Sequence, residues 1–523
     1  MLSLRAVGGT VSIGGGLLRM NTTAAPEVTA SEVKARAQKG VLVLAARTLA
    51  SQGLRVVSAL CLSRLLFPDD YGLFGIVNYA ATLGIFLGDL GLSAALVHQS
   101  HEPTPEETST IFWGHQMLTT LVAAGVALMA PQLVEGYALG AQALPMVYAL
   151  VAGLYFFSLR IIPVMALERK LAFPVIARAE LIENLAQVAT TISLAALGCG
   201  AWSLVGGGLV RGAVGLVCIW MASPWRPRFT FHLSIIKRLM GLGLGFQLPP
   251  LVGALTAGWV PLVVGRYLGK DAVGLVNWAW ALASTPMMLS AILNRVAFPA
   301  YCRLQDDPVG FADYLRTSLR RLSAALCLII PMVVFAVPVA VPLFFGQRWV
   351  PAVPLVQWFS VECILITLNG LLATAQNAGG RPYERLAVTI ATGVSKWALG
   401  TWLIHRFGLL GVGPLGSIIC LGELAVTAWL VTRLNPALRG VGVQVVEPVV
   451  TVGLLLLGSV LSAPYIVREG LWSQALVGAA LFAALFLLRE RLPGPVPLVA
   501  ELRTIFALVR ARLPGGAPRE SSP

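Results

Sequence analysis

Apolar residues run along most of this chain in long blocks, separated by short clusters of charge, proline or glycine. A helix needs roughly 20 such residues to cross a hydrocarbon core. Fourteen candidate spans can be marked, near residues 40–66, 71–97, 110–130, 143–166, 174–197, 200–221, 239–268, 272–298, 319–345, 352–377, 386–405, 410–432, 446–466 and 471–488. The ten-residue alternation of an outer-membrane barrel does not occur. The pattern predicts an all-α polytopic membrane protein. Beyond the last span, Val499, Leu502, Phe506, Val509 and Leu513 recur at helical spacing with Arg503, Arg510 and Arg512 off that stripe, which predicts a helix lying on the inner leaflet.

Composition sharpens this reading. Of 523 residues, 57% are hydrophobic and 12% charged, about half the charge density of a soluble domain. The net charge of +14 would suggest nucleic acid in a soluble chain, but here the cations sit in short loops. With the N-terminus inside, Lys and Arg divide as 26 in cytoplasmic segments, 6 in periplasmic ones and 6 within spans, the asymmetry of the positive-inside rule. Nucleic acid is therefore not an expected partner. The expected location is the bacterial inner membrane, multi-pass, with both termini cytoplasmic. Residues 1–19 are too weakly apolar for a signal-peptide core, and either Met1 or Met20 could start the chain.

An internal repeat divides the spans. At an offset of 202, the segment Ser63 to Leu73 aligns with Gly265 to Leu275, with identities at Arg64, Leu66, Asp69, Gly72 and Leu73. Both copies occupy the first outside turn of a six-span half. Six is even, so the halves share one orientation and are expected to be related by a pseudo-two-fold along the membrane normal, with substrate between them. The expected organisation is a cytoplasmic segment (1–39), an N-lobe (40–221), a basic linker (222–238), a C-lobe (239–432), two additional spans (446–488) and a basic tail (489–523).

Charges inside the spans carry the chemistry, because burying one at the bilayer centre costs about 2.5–3.5 kcal/mol on insertion scales. In span one, Arg47, Ser51, Arg55 and Ser58 fall on one helical stripe, widened by Gln52. In span two Asn78, Thr82 and Asp89 share a face, and the repeat carries it onto Asn277, Ser284 and Arg295 of span eight. Asp89 with Arg47, and Glu423 with Lys396, could be ion pairs within the bundle or coupling groups; Glu362 sits in span ten. Arg55 and Arg211 have no obvious acidic partner at matching depth, which favours an anion-binding cavity lined by Arg47, Arg55, Arg211 and Arg295. Pro249 and Pro250 interrupt span seven as a hinge or a static kink.

Other motifs carry less. Gly411, Gly413 and Gly416 match a dinucleotide fingerprint, but with no preceding strand they point to close helix packing. His98, His101, Glu102, Glu106 and Glu107 read as a solvated loop capping span three, so no metal or other cofactor is expected. Trp225 and Trp349 fit interfacial belts.

The run Leu65 to Phe74 (LLFPDDYGLF), followed by Phe86 to Val97 (FLGDLGLSAALV), resembles the opening of Wzx-type polysaccharide transporters of the multidrug/oligosaccharidyl-lipid/polysaccharide exporter superfamily. Leu167 to Phe173 and Trp225-Arg226-Pro227 add to the likeness, which runs from about residue 36 to 490. The resemblance implies two six-helix lobes around a cationic cavity, often with two extra C-terminal helices. It also implies flipping of undecaprenyl-diphosphate-linked oligosaccharide for exopolysaccharide, capsule or O-antigen assembly. Multidrug exporters and peptidoglycan-precursor flippases of the same superfamily remain alternatives, as does a polymerase or ligase enzyme. A polymerase and export machinery are possible partners, and coupling to protons, sodium or membrane potential stays open.

Overall fold

The computed structural model describes residues 51–89, 91, 96, 102–170 and 172–438. Arg47, the two spans expected at 446–488 and the interfacial helix beyond them lie outside the described residues. All regular structure within them is helical. The helices are α1 (51–65), α2 (Pro68–Asp89), α3 (Pro105–Gly136), α4 (Ala143–Arg169), α5 (Phe173–Ala196), α6 (Trp202–Ala222), α7 (Leu233–Ala257), α8 (Gly265–Ala283), α9 (Met288–Arg303), α10 (Pro308–Ala340), α11 (Val353–Ala378), α12 (Pro382–Phe407) and α13 (Val412–Leu434).

Two of these boundaries differ from the hydropathy reading. Span seven is α7 continued through a π-helical turn, Val260–Val264, as far as Gly269. There a backbone at φ 82 and ψ 176 breaks the helix, a left-handed conformation that glycine adopts without penalty. Span eight is then the rest of α8, a 3-10 turn at Thr285–Met287, and α9. That turn interrupts the single stripe expected for Asn277, Ser284 and Arg295. The prolines at 249 and 250 do not break α7, which runs through them. Helix also starts at Leu233, inside the segment read as linker, because Ile236 and Leu239 join an apolar cluster on the N-terminal half.

Eight stretches of the described residues, from Pro68–Asp89 to Tyr383–Arg433, are long and apolar enough to cross a membrane. Their apolar surface is not all turned inward: Leu121, Leu128 and Met129 of α3 are 69, 75 and 70% exposed. A contiguous apolar exterior of this kind has lipid as its natural solvent. The protein is a multi-pass membrane protein.

The repeat predicted from Gly72 and Gly274 is present as a physical contact. A Cβ on Gly72 would stand 1.7 Å from the carbonyl oxygen of Lys270, and a Cβ on Gly274 would stand 1.8 Å from that of Pro68. Pro68 and Lys270 are themselves 202 residues apart, so the contact is reciprocal: α2 and α8 cross backbone to backbone about a local two-fold. Farther along the chain the register shifts. The starts of α4 and α11, and of α6 and α13, are 210 apart, because the C-terminal half carries a longer ninth span ending in a second π-helical turn, Val341–Phe345.

One apolar core at the Asp69 end draws on both halves, joining Leu73, Ile76 and Val205 to Trp259, Val273, Trp349 and Leu415. At the opposite end the cores are separate. One holds Tyr301, Leu315, Leu368 and Leu424, and the other holds Ile111, Phe112, Ile162 and the first turns of α7. The lobes are fused at one end and individually packed at the other.

Overpacking a close helix contact costs about 1–3 kcal/mol. Gly72→Ala and Gly274→Ala are therefore each expected to lower the melting temperature of the detergent-solubilised protein. Gly125→Ala, with nothing within 4 Å of the new methyl group, should leave it unchanged or raise it. Equal melting temperatures for all three variants would refute the crossing.

Candidate functional site

A set of cations clasps the Asp69 end. Lys270 donates to Asp69 across the lobes at 2.8 Å. Arg64 donates from Nε to the carbonyl of Phe344 at 2.7 Å and from Nη2 to that of Leu343. Arg348 returns the contact, reaching the carbonyl of Leu66 at 3.1 Å while its guanidinium covers the Phe67 ring. Trp349 is fully buried, donates to the carbonyl of Ser63 at 2.8 Å and stacks on Trp278. The interfacial-belt reading of Trp349 is thereby corrected: its ring is an inter-lobe wedge. On the symmetry-related side Tyr137 donates to the carbonyl of Leu262. Burial pushes its phenol pKa up and the nearby Arg266 opposes the shift, so the phenol stays a donor at neutral pH. Sequence reasoning counted these cations as loop charges. The repeat that aligns Arg64 with Arg266 was the signal that could have placed them.

The polar faces of α1 and α2 carry the other expected site residues. Arg55 is exposed and makes no ion pair or hydrogen bond among the described residues, while Ser51, Gln52 and Ser58 beside it are half-buried. Val56 and Val57 on the other side are about half exposed, as a lipid face requires. Asn78 and Thr82 of α2 bond each other one turn apart. Asn277 is half-buried against α2, where a Cβ on Gly75 would stand 2.4 Å from its Nδ2. Asp89 faces His115 of α3 electrostatically, and His115 bonds Thr119, which donates to Ser158 of α4. The side chain of Arg295 lies outside what is described.

The expectation that Arg211 lacks an acidic partner is wrong. Glu183 of α5 is buried and takes two arginines, Arg160 at 2.6 Å and Arg211 at 3.4 Å. Span five had drawn no attention, although Glu180, Glu183, Asn184 and Gln187 recur at helical spacing within it. The pairing of Glu423 with Lys396 is also corrected. Glu423 accepts from Arg385 and Asn369, both at 2.8 Å, while Lys396 acts electrostatically on Glu362. Arg385, three residues into α12, reaches Glu423 along the helix; counting depth from span ends could not resolve that reach.

The close-packing reading of the glycine motif holds, while His98 and His101 lie outside the described residues. Gly411, Gly413 and Gly416 pack against Leu403, Trp358 and Glu362 closely enough that a Cβ on any of them would clash. Glu107 closes a capping box with Thr104 at the start of α3 and pairs with Arg238 of α7. The stretch after α6 is sewn to that same helix end: Trp225 donates to Thr108, Trp113 to the carbonyl of Arg228, and Trp113 stacks on Phe229. No group of three or more metal-ligating side chains occurs among the described residues.

Two lobes that cross at the Asp69 end and have separate cores at the other define a two-lobed multi-pass membrane fold. The chain belongs to the polysaccharide biosynthesis protein family, whose model matches residues 61–354. It is similar to the succinoglycan biosynthesis transport protein ExoT of Rhizobium meliloti (strain 1021), 26% identical over 60% of this chain and 64% of that one. It is also similar to the lipopolysaccharide biosynthesis protein WzxC of Escherichia coli (strain K12), 25% identical over 63% of this chain and 65% of that one. The matched region thus spans just under two thirds of those two relatives. Its fold is that of the lipid II flippase MurJ in an inward closed conformation, at TM-score 0.67 and 12% identity, covering 85% of this chain and 98% of the other. An inward-facing multidrug resistance MATE family transporter of the MOP superfamily aligns at TM-score 0.53 and 16% identity, over 76% and 98%.

Stranding one partner of a buried ion pair is more damaging than removing both. Arg385→Met is therefore expected to lower the melting temperature, and Arg385→Met/Glu423→Gln to recover most of the loss. A double variant no more stable than the single one would show that Glu423 draws its stability from elsewhere.

Proposed function

We propose that this protein is a flippase for undecaprenyl-diphosphate-linked oligosaccharide repeat units in the bacterial inner membrane, supplying exopolysaccharide, capsule or O-antigen assembly. What supports the reading is a bundle whose halves share one apolar core at the Asp69 end and have separate cores at the other, together with Arg55, exposed and free of any described acidic partner, which we place on the seam between the lobes. Membership of the polysaccharide biosynthesis family and likeness to ExoT and WzxC supply the substrate class. The positive-inside count turns the fused end to the periplasm and the separate end, with both termini, to the cytoplasm.

In that orientation the described state is closed outward. A diphosphate head group entering from the cytoplasmic leaflet meets guanidinium groups, whose planar donor forks replace its hydration. Arg47, Arg55 and Arg295 are the cations proposed to do this, with Gln52, Asn78 and Asn277 meeting sugar hydroxyls while the polyprenyl tail stays in lipid. The lobes 40–221 and 239–432 then rock about their crossing. Pro249 and Pro250 are the proposed hinge: before them α7 packs on α3 through Ile236 and on α2 through Gln247, and after them it packs on α12 through Thr256 and Trp259. Asp89, Glu362, Lys396 and Glu423 are the groups through which a proton or cation gradient could act. A polysaccharide polymerase would take the product.

The buried Glu362 and the half-buried Glu423 favour the second reading, a cation-coupled multidrug exporter of the same superfamily. Export in a flippase-null strain separates the two. Arg55→Ala is expected to abolish polysaccharide export at normal protein level, and Arg55→Lys to restore it partly, because lysine keeps the charge and loses the bidentate fork. Full export by Arg55→Ala would remove that residue from the cavity.

Cysteine labelling tests the orientation. A cysteine at Asp69 is expected to react from the periplasm, and one at Arg228 only from the cytoplasm; the reverse result would invert the mechanism.

A further inference from the structure

One cluster among the described residues sets two arginines against a buried glutamate in the N-terminal half. Glu183, Arg160 and Arg211 come from α5, α4 and α6, near the middle of their helices. Both guanidinium groups bond the same carboxylate. The cluster's two halves are held very differently. Arg160 reaches Glu183 at 2.6 Å with its side chain 21% exposed, whereas Arg211 touches only through Nε, at 3.4 Å, with its side chain 45% exposed. Glu183 is thus compensated by Arg160, and both are fixed: a Cβ on Gly215 would stand 2.0 Å from Glu183 Oε2 and 2.4 Å from Arg160 Nη1. The Nη1 and Nη2 atoms of Arg211 make no hydrogen bond among the described residues.

We infer that Arg211 is a second anion-binding guanidinium, held in readiness by Glu183, that takes a phosphate-bearing head group by exchanging its weak carboxylate contact for a bidentate one. The inference rests on the flippase reading and adds to it a site on α6, away from the α1 stripe. The terminal fork of a guanidinium matches two adjacent phosphate oxygens, and a charge-assisted pair is strong where water is scarce. Glu183 tunes the site. Its negative charge competes with the ligand, and Arg160 limits that competition by engaging the carboxylate first. Asn184 and Gln187, half-buried on the same helix, follow Glu183 at one and four residues and can serve sugar hydroxyls next to the phosphate. Two sources present this chemistry, a polyprenyl diphosphate and an anionic phospholipid, and the substrate is the one assigned here.

The test measures binding of farnesyl diphosphate to the full-length protein in phosphatidylcholine nanodiscs, each variant first checked for a monodisperse elution profile. Arg211→Ala should weaken binding by about tenfold or more, the scale of one lost charge-assisted bond. Arg160→Met alone should also weaken it, because the whole charge of Glu183 then falls on Arg211. The variant Arg160→Met/Glu183→Gln should bind at least as tightly as the wild type, because it releases Arg211 without stranding a charge. A merely structural cluster would give no such reversal between single and double variants, and its absence overturns the inference. Wild-type affinity in Arg211→Ala overturns it while leaving Arg55 and the flippase reading in place; no binding by the wild type at all overturns both. Displacement of the probe from the wild type by equimolar phosphatidylglycerol would assign Arg211 to a bilayer lipid and overturn the substrate assignment.

Discussion

The crossing of α2 and α8 is the constraint from which the rest of the architecture follows. Two helices can meet backbone to backbone only where neither has a side chain, and Gly72 and Gly274 provide that on both partners at equivalent positions. Because each glycine faces the carbonyl that matches the other's, the contact fixes the relation between the lobes as a two-fold. Glycine at these sites costs helix propensity, about 1 kcal/mol each relative to alanine. Close packing along the whole crossing offsets that cost, and the shared apolar core of Ile76, Val77, Val273 and Val276 grows around it. The clasp of Arg64, Lys270, Arg348 and Trp349 then ties polar groups over the crossing, where water could otherwise enter.

The same device, a glycine leaving room for a polar group, recurs at three charged sites. Gly215 makes space for Glu183 and Arg160, Gly416 for Glu362, and Gly200 for Asp70, which in turn caps the start of α2 by accepting from the Phe67 amide. A carboxylate in hydrocarbon is costly unless its lone pairs are met. Meeting them requires the donor's helix to approach more closely than ordinary side chains allow. Part of the high glycine content, 53 residues, is thus explained by electrostatics as much as by turns.

The fold was legible from sequence to a large degree because hydropathy reports directly on the solvent. Spans three to twelve have helices among the described residues, spans one and two are described from residue 51 and as far as residue 89, and the repeat offset found in the Asp69 turn is the register of the actual crossing. The candidate site was less legible. Depth along a helix can be counted from sequence, but the identity of the facing helix cannot, so Arg211 was assigned no partner although Glu183 lies on the neighbouring helix. Lys396 and Glu423 were matched by depth alone, yet Arg385 is the residue that reaches Glu423. Trp349 shows the converse error: its place near a span end suggested the interface, while the extra residues of the ninth span carry it into the other lobe.

Helix α7 shows why a two-lobed transporter need not divide cleanly at its linker. Its first turns are bound to the N-lobe by Arg238 on Glu107 and by Ile236 against Gly114, and its last turns to α12 through Trp259 against Gly400. The stretch before it is held to α3 by Trp225 and Trp113, so the chain cannot absorb movement in a slack loop. In the proposed rocking of the lobes, α7 is the element expected to take up the change in angle. Pro249 and Pro250 remove two backbone donors from the middle of that helix, and the π-helical turn at Val260–Val264 spaces its bonds more widely near the crossing. The two donors missing at Pro249 and Pro250 thus lie between the points where α7 is anchored, and the π-helical turn lies just beyond the second of them.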